Sequence, residues 1–163
     1  MKLEWEGIKS IKDSLLIGIY ANPLHINKSS KGFKLHSAEP ILEYRDFNSN
    51  ESRYWRFDCI EDNQGDDIIT PIVQKTPQPL QYELAEASHQ NHIIMGSSFS
   101  VQNNWIKQVS GYGFKKNNKE FLSAIVLELD ELYIIANAGE VVEINVTDKD
   151  PELIDDLIVT TAD

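Results

Sequence analysis

The fold is decided by residues 121–147, which read FLSAIVLELDELYIIANAGEVVEINVT. Turns of two polar or small residues divide this stretch into three apolar, β-prone runs: 121–129, 132–138 and 141–147. Strands that follow one another through such short turns pair in the antiparallel sense. We therefore predict a three-stranded antiparallel meander in the C-terminal half of the chain.

The apolar pattern also predicts where the strands of the meander lie. In the first run, Ile125 and Leu127 point to one face while apolar residues also occupy the other, so this strand should be central. In the third run, Val142, Ile144 and Val146 alternate with polar residues. That strand should have one face toward solvent.

Two further β-prone runs, 40–47 and 53–60, surround a polar loop and predict a hairpin. Pairing of Phe47 with Arg53 would divide its aromatic and arginine side chains between two faces: Arg45, Trp55 and Phe57 on one, and Tyr44, Tyr54 and Arg56 on the other. Such a face can form a binding platform. We favour a structural role, because strand aromatics normally pack and arginine stems pack beside them.

Other β-prone segments extend the predicted sheet: 14–20, 66–73, 93–101 and 105–114. Pro71 should place its strand at an edge, since proline cannot donate to the hydrogen-bond ladder.

Two segments are predicted to be helical. Residues 80–89 have a helical composition, and residues 150–152 form a helix start in which Asp150 can cap and Pro151 suits the first turn. An apolar stripe would then pack on the sheet and leave Asp155 and Asp156 outward: Leu153, Ile154, Leu157 and Ile158. The predicted fold class is α+β, mostly β, as a single domain over residues 1–163 with one mid-chain helix and a short C-terminal helix.

Length and composition support one folded domain. A chain of 163 residues with 41% hydrophobic residues can bury a substantial core. Its single cysteine, Cys59, cannot form an internal disulfide, and we interpret it as a small buried side chain rather than a nucleophile.

The net charge is concentrated at the C-terminal end. Residues 1–119 carry equal numbers of acidic and basic residues, whereas residues 120–163 hold twelve acidic residues and only Lys149 as a base, so they account for the whole net charge of −11. An excess of negative charge argues against binding to nucleic acid or to an anionic membrane. It is consistent either with a solvated face that maintains solubility or with a docking surface for a basic partner.

We favour a small acidic binding protein that neutralises a basic protein partner. Its most concrete form is an immunity protein or inhibitor of a nuclease-type toxin, because a nuclease has a cationic cleft that an acidic face can occupy. The predicted contact residues are acids of the meander and of the C-terminal helix: Glu128, Asp130, Glu131, Glu140, Glu143, Asp155 and Asp156.

No motif assigns catalytic chemistry. The segment Gly96-Ser97-Ser98 lacks the nucleophile elbow of a hydrolase, and residues 111–114 lack the features of a phosphate loop. Within a run of four residues at intervals of three, Glu86-x-x-His89 has the spacing of half of a di-metal site: Glu83, Glu86, His89 and His92. The required second Glu-x-x-His pair is missing, and steps of about 300° spread the four side chains around a helix. We therefore predict no catalytic residue, no metal, no cofactor and no enzyme activity.

Two alternatives remain open. The chain could be a small-molecule-binding β-domain or an enzyme of unrecognised type with a cavity lined by four aromatic residues: Trp55, Tyr54, Tyr112 and Trp105. It could also be an assembly subunit that pairs through sheet edges and the apolar helix stripe. The N-terminus lacks the pattern of a secretory signal and no segment reaches the length of a membrane span, so we expect a cytoplasmic protein.

Overall fold

The computed structural model describes residues 6–21, 23–29, 32–46, 48–76, 92–95, 105–130 and 132–162. The elements within these ranges are one short helix and twelve strands: α1 (Glu6–Lys9), β1 (Leu15–Ala21), β2 (Pro23–Ser29), β3 (Gly32–Ser37), β4 (Ile41–Arg45), β5 (Ser52–Glu61), β6 (Asp67–Gln74), β7 (His92–Met95), β8 (Gln108–Lys116), β9 (Lys119–Glu128), β10 (Tyr133–Asn137), β11 (Val142–Thr147) and β12 (Asp156–Thr160). The prediction of a mostly-β chain is confirmed.

The strands form two antiparallel sheets. Sheet A has the order β6-β5-β4-β1-β7, and sheet B has the order β12-β8-β9-β10-β11-β3-β2. One hydrophobic cluster joins side chains of both sheets, including Leu42 and Trp55 from sheet A and Leu127 and Ile144 from sheet B. Two sheets that share one apolar core form a β-sandwich. The sequence predicted one sheet, and the second sheet was not predicted.

The predicted meander is confirmed. Strand β9 pairs with β10 and β10 with β11, for example through Ile125 opposite Ala136 and Ala136 opposite Ile144. Strand β9 lies inside sheet B with buried residues on both faces, as its apolar pattern predicts. Pro71 lies in β6, an edge strand of sheet A, which is also the predicted place.

The hairpin of β4 and β5 is confirmed, but its predicted register was wrong. Tyr44 lies opposite Arg53, so Tyr44 shares the core face with Trp55 while Arg45 lies on the outer face. The difference arises at Asp46. Its carboxylate accepts a hydrogen bond from the backbone N–H of Asn48, and its own N–H donates to the carbonyl of Glu51, which draws Asp46 into the turn and shifts the pairing.

The predicted C-terminal helix is wrong, because residues 156–160 form strand β12 on the edge of sheet B. The β-branched run from Ile158 to Thr161 favours an extended backbone, and pairing with β8 satisfies its amides, which outweighs the local cap signal at Asp150 and Pro151. The predicted helix at residues 80–89 lies outside the described residues. The helix that is described, α1, places Ile8 in the core.

Candidate functional site

The acidic residues predicted to contact a partner do not form one patch. Glu131 lies outside the described residues, and the other six fall into three pairs on sheet B: Glu128 with Asp130, Glu140 with Glu143, and Asp155 with Asp156. Asp156 on β12 and Glu143 on β11 are separated by four strand spacings, about 19 Å in all. The predicted acids are therefore spread across sheet B and are not gathered in one cluster.

The first pair lies where β9 turns into β10. The Nζ atom of Lys107 is 2.8 Å from Oδ1 of Asp130, and this hydrogen bond and ion pair raise the pKa of Lys107, with Glu128 adding to the shift. Asp130 therefore already has a cationic partner within the chain.

The pKa of Tyr133 reports on the negative charge at this end of sheet B. Its hydroxyl donates to Oδ1 of Asp150 at 2.5 Å, which raises the pKa of Tyr133 to about 12, with burial and the charge of Glu128 adding to the effect. Because the folded state holds the neutral phenol, this contribution to stability is complete below pH 10 and is lost as the pH rises toward 12.

We expect an ultraviolet titration of tyrosine, taken as the difference between the wild type and Tyr133→Phe, to show one phenol ionising near pH 12. Asp150→Asn should move that transition toward the ordinary tyrosine pKa. A transition already at the ordinary value in the wild-type protein would contradict the assigned hydrogen bond.

The second pair lies at the turn from β10 to β11. Glu143 contacts His36 through Oε2 and Nε2 at 3.2 Å, and its Oε1 accepts a hydrogen bond from Asn137 at 3.3 Å. Glu140 is exposed in the turn. The half-buried carboxylate of Glu143 thus has a structural role within sheet B.

The third pair belongs to a different kind of surface, which we call the C-terminal edge and define as Glu152, Ile154, Asp155, Asp156 and Leu157. Ile154 is fully exposed, at 101% of its reference area, and Leu157 is 52% exposed. Both lie next to carboxylates, of which Asp155 accepts a hydrogen bond from the hydroxyl of Ser123. Two exposed apolar side chains and three exposed carboxylates thus lie within the six residues 152–157, at and just before an edge strand. Apolar side chains beside charged ones are the composition expected of an interface with a polar rim.

Strand β12 holds this edge in place through its other side chains. Val159 is buried in the core, and the Thr160 hydroxyl lies 3.1 Å from the hydroxyl of Ser110. The N–H of Thr161 donates to the carbonyl of Val109 at 2.9 Å. The register of β12 on β8 shifts between Leu157 and Val159, and this bulge places Leu157 opposite Tyr112 while Val159 points inward.

Sequence reasoning singled out Asp155 and Asp156 of the C-terminal edge but not Glu152 or the two exposed apolar residues. A helix would have buried Ile154 and Leu157 in its stripe, whereas the strand exposes both. The signal that could have revealed this is the β-branched run that follows, since Ile158, Val159 and Thr160 favour a strand over a helix.

The structure separates three of the four aromatic residues that were proposed to line a ligand cavity, so these three do not share one cavity. Trp55 is fully buried in the core between the sheets, and Tyr54, its neighbour on β5, faces the other side of sheet A. Tyr112 pairs with Ala124 on sheet B, on the face away from the core. Alternation along the strands separates these rings.

A buried carboxylate lies on the outer face of sheet A instead. Glu43 is only 8% exposed, and it accepts hydrogen bonds from the hydroxyl of Tyr20 and, at 2.9 Å, from that of Ser52. Burial and the charge of Glu43 raise the pKa of Tyr54, whose ring lies 6.5 Å from that of Tyr20. Hydroxyl donors compensate the desolvation of this carboxylate, so the cluster has a structural explanation.

An open cleft of about 490 Å³ lies between the β5–β6 turn and the β8–β9 turn. Lys116 donates to Asp62 at 2.9 Å and to Asp66, which raises the pKa of the lysine and lowers that of Asp62. Asp62 also accepts two backbone N–H bonds from its own turn, at Gln64 and Asp66. Lys116, Asp62 and Asp66 are therefore paired with one another and link the β5–β6 turn to strand β8.

Cys59 has a structural environment. Its Sγ donates to the carbonyl of Gly139 at 2.9 Å, and burial raises the pKa of the thiol. A thiol with a raised pKa is a weak nucleophile at neutral pH.

Within the ranges that the structure describes, no group of three or more His, Cys, Asp or Glu side chains is arranged to bind a metal ion. The candidate metal residues Glu83, Glu86 and His89 lie outside those ranges. In the described part of the chain, no helix has both the length and the apolar character needed to cross a bilayer.

Comparisons of the chain with protein-family models, with curated proteins and with solved structures find no match. The C-terminal edge and the charges around it are therefore the features from which a function can be inferred.

Proposed function

We propose that this protein binds and neutralises a basic protein partner through its C-terminal edge. The observation that carries the proposal is the exposure of Ile154 and Leu157 among the carboxylates of Glu152, Asp155 and Asp156. Large exposed apolar side chains rimmed by polar groups are typical of protein-binding surfaces.

The apolar and acidic residues would act differently in binding. Burying Ile154 and Leu157 against a partner would supply hydrophobic free energy, about 25 cal/mol per Å² of apolar area removed from water. The carboxylates would mainly accelerate association with a basic partner and disfavour acidic competitors. This division suits a surface on which the acids remain at the rim and are not buried unpaired.

The other acids support the same partner chemistry from a distance. Glu128 ends strand β9, Glu140 and Asp150 lie in the loops before and after β11, and the bases in residues 120–163 amount to Lys149 alone. Their summed field would steer a cationic protein toward the C-terminal region. The most concrete partner is a nuclease-type toxin, whose phosphate-binding cleft is cationic, so that the chain would serve as its immunity protein or inhibitor.

The test is capture of partners from a lysate of the source organism with three baits of the full chain. The first bait is the wild type, and the second carries Glu152→Lys, Asp155→Lys and Asp156→Lys. The third carries the same change of charge on exposed acids away from the C-terminal edge, as Glu6→Lys, Glu51→Lys and Glu61→Lys. We expect a basic protein to be retained by the first and third baits and lost by the second at moderate salt.

The third bait separates local docking from net charge. Equal loss on both charge-reversed baits would reduce the effect to overall charge and remove the C-terminal edge from the interface. Retention of the same proteins by all three baits would overturn the proposal and leave the acids as a solvated face.

A further inference from the structure

We propose that the partner binds by strand addition: an extended basic segment pairs with the side of β12 that no described strand occupies and adds a strand to this edge of sheet B. This inference rests on the proposed function and specifies how the C-terminal edge would hold its partner. Strand β12 is the terminal strand in the order of sheet B and pairs with β8 on one side. Edge strands present a row of unpaired backbone groups on the other side.

The pairing identifies one residue whose backbone faces outward. Thr160 lies opposite Ser110, and the N–H of the next residue, Thr161, donates to the carbonyl of Val109. In an antiparallel ladder this pattern marks Thr160 and Ser110 as a non-hydrogen-bonded pair. The N–H and C=O of Thr160 therefore point away from β8, toward the position of an added strand.

The side chains around this position favour an incoming strand. Leu157 is exposed on the sheet face that also carries Thr160, and Ile154 is exposed just before the strand begins. An added strand would cover both while its backbone bonds to β12. In strand addition, backbone hydrogen bonds supply affinity and side-chain contacts supply specificity.

One edge strand of sheet A, β6, is protected in a way that β12 is not. Strand β6 carries Pro71 within its span, and proline removes a ladder donor. Strand β12 contains no proline, and its first residue, Asp156, follows a second carboxylate. Charges at an edge exclude strands of like charge but attract strands of opposite charge.

Charge also distinguishes the partner from a second copy of this chain. Each of two copies would carry a net charge of −11 and would place Asp155 and Asp156 at the interface, so the two copies would repel each other. A segment with lysine or arginine beside these carboxylates has complementary charge instead. Charge complementarity therefore favours a basic extended segment of a different protein.

The test uses random twelve-residue peptides displayed on phage and selected on the immobilised full-length protein. We expect the selected sequences to combine lysine or arginine with alternating β-branched or aromatic residues. A synthetic copy of a selected peptide should bind about tenfold more weakly to Thr160→Pro than to Thr160→Ala. Both variants lose the threonine hydroxyl, but only proline removes the outward N–H, and proline is tolerated where that N–H faces solvent on an edge strand.

Amide hydrogen exchange provides a readout that does not depend on the proline variant. Bound peptide should slow the exchange of the Thr160 amide in the wild-type protein. Equal affinity for the two variants, or an unchanged Thr160 amide in the complex, would overturn strand addition.

The same peptide separates this inference from the proposed function. Binding that is lost with Asp155→Lys and Asp156→Lys but is unaffected by Thr160→Pro would leave an acidic docking surface without strand addition. Selection of no basic sequence would overturn strand addition, while the lysate capture would still decide the proposed function. A stable dimer by light scattering, with Thr160 protected in the absence of peptide, would assign the free edge to a second copy and also overturn the inference.

Discussion

Trp55→Ala is expected to lower the free energy of unfolding by about 3–5 kcal/mol, the range for removing a large aromatic side chain from a packed core. Trp55 has no exposed area and packs edge-on against Tyr44 and Phe57, at ring-centroid distances of 6.2 and 5.8 Å. Alanine would leave a cavity where the rings of β4 and β5 meet sheet B. Urea unfolding followed by circular dichroism measures the change.

Two further tryptophan variants test whether the loss of stability comes from the core position of Trp55. Trp55→Phe should cost much less than alanine, because it keeps a ring in place and removes a buried indole N–H that has no hydrogen-bond partner among the described residues. Trp105→Ala should also cost less, since Trp105 is 37% exposed. Equal losses for alanine at Trp55 and at Trp105 would contradict the placement of Trp55 in the core.

Gly113→Ala is expected to destabilise the protein by about 3 kcal/mol, at the upper end for forcing extra atoms into a packed site. A Cβ atom at Gly113 would lie 1.8 Å from the carbonyl oxygen of Phe121 and 2.8 Å from Cα of Leu122. Both are backbone atoms, so the clash can be removed only if the two strands of the β8–β9 hairpin move apart.

Gly113 also lies opposite Asp156 of β12, so we expect the same variant to weaken peptide binding at the C-terminal edge.

Gly111→Ala is the matched control on the same strand. Its Cβ would meet side-chain atoms of Val159 and Leu122, at 2.8 and 2.9 Å, and side-chain atoms shift more easily than the backbone atoms that face Gly113. The loss in unfolding free energy should therefore be smaller, on the order of 1 kcal/mol. A larger loss for Gly111→Ala than for Gly113→Ala would contradict the close backbone approach at Gly113.

The antiparallel meander could be predicted from the sequence because its signals are local. Alternation at Val142, Ile144 and Val146 requires one buried face, and apolar residues on both faces of residues 121–129 require an interior strand. Each signal lies within one run, so no knowledge of distant contacts is needed. The hairpin of β4 and β5 was predictable for the same reason.

The register of that hairpin and the secondary structure of residues 156–160 depend on interactions that the pattern of apolar and polar residues does not reveal. A hydrogen bond from the Asn48 amide to Asp46 shifts the hairpin by enough to exchange Tyr44 and Arg45 between faces. At the C-terminus, Asp150 and Pro151 carry a sound helix-start signal. Strand β8 offers a pairing partner on the side away from β9, and pairing with it outweighs the local preference of these residues for a helix.

The candidate site was predictable in its charge and not in its shape. The excess of acids after Lys119 is a property of composition, so it could be read directly. Which acids lie together depends on strand order, which separates Asp156 from Glu143 by three intervening strands. The exposure of Ile154 and Leu157 follows from β12 being an edge strand, and that required the fold.

Docking through the C-terminal edge is tested by the rate of association with the captured partner, measured for the wild type and for a variant in which three carboxylates are replaced by amides of similar shape. Glu152→Gln, Asp155→Asn and Asp156→Asn should lower the association rate at least tenfold at low salt, because electrostatic steering raises such rates by about 10- to 1,000-fold. At high salt the variant and the wild type should converge, since screening removes the advantage of the carboxylates. Equal rates at every salt concentration would contradict docking through the C-terminal edge.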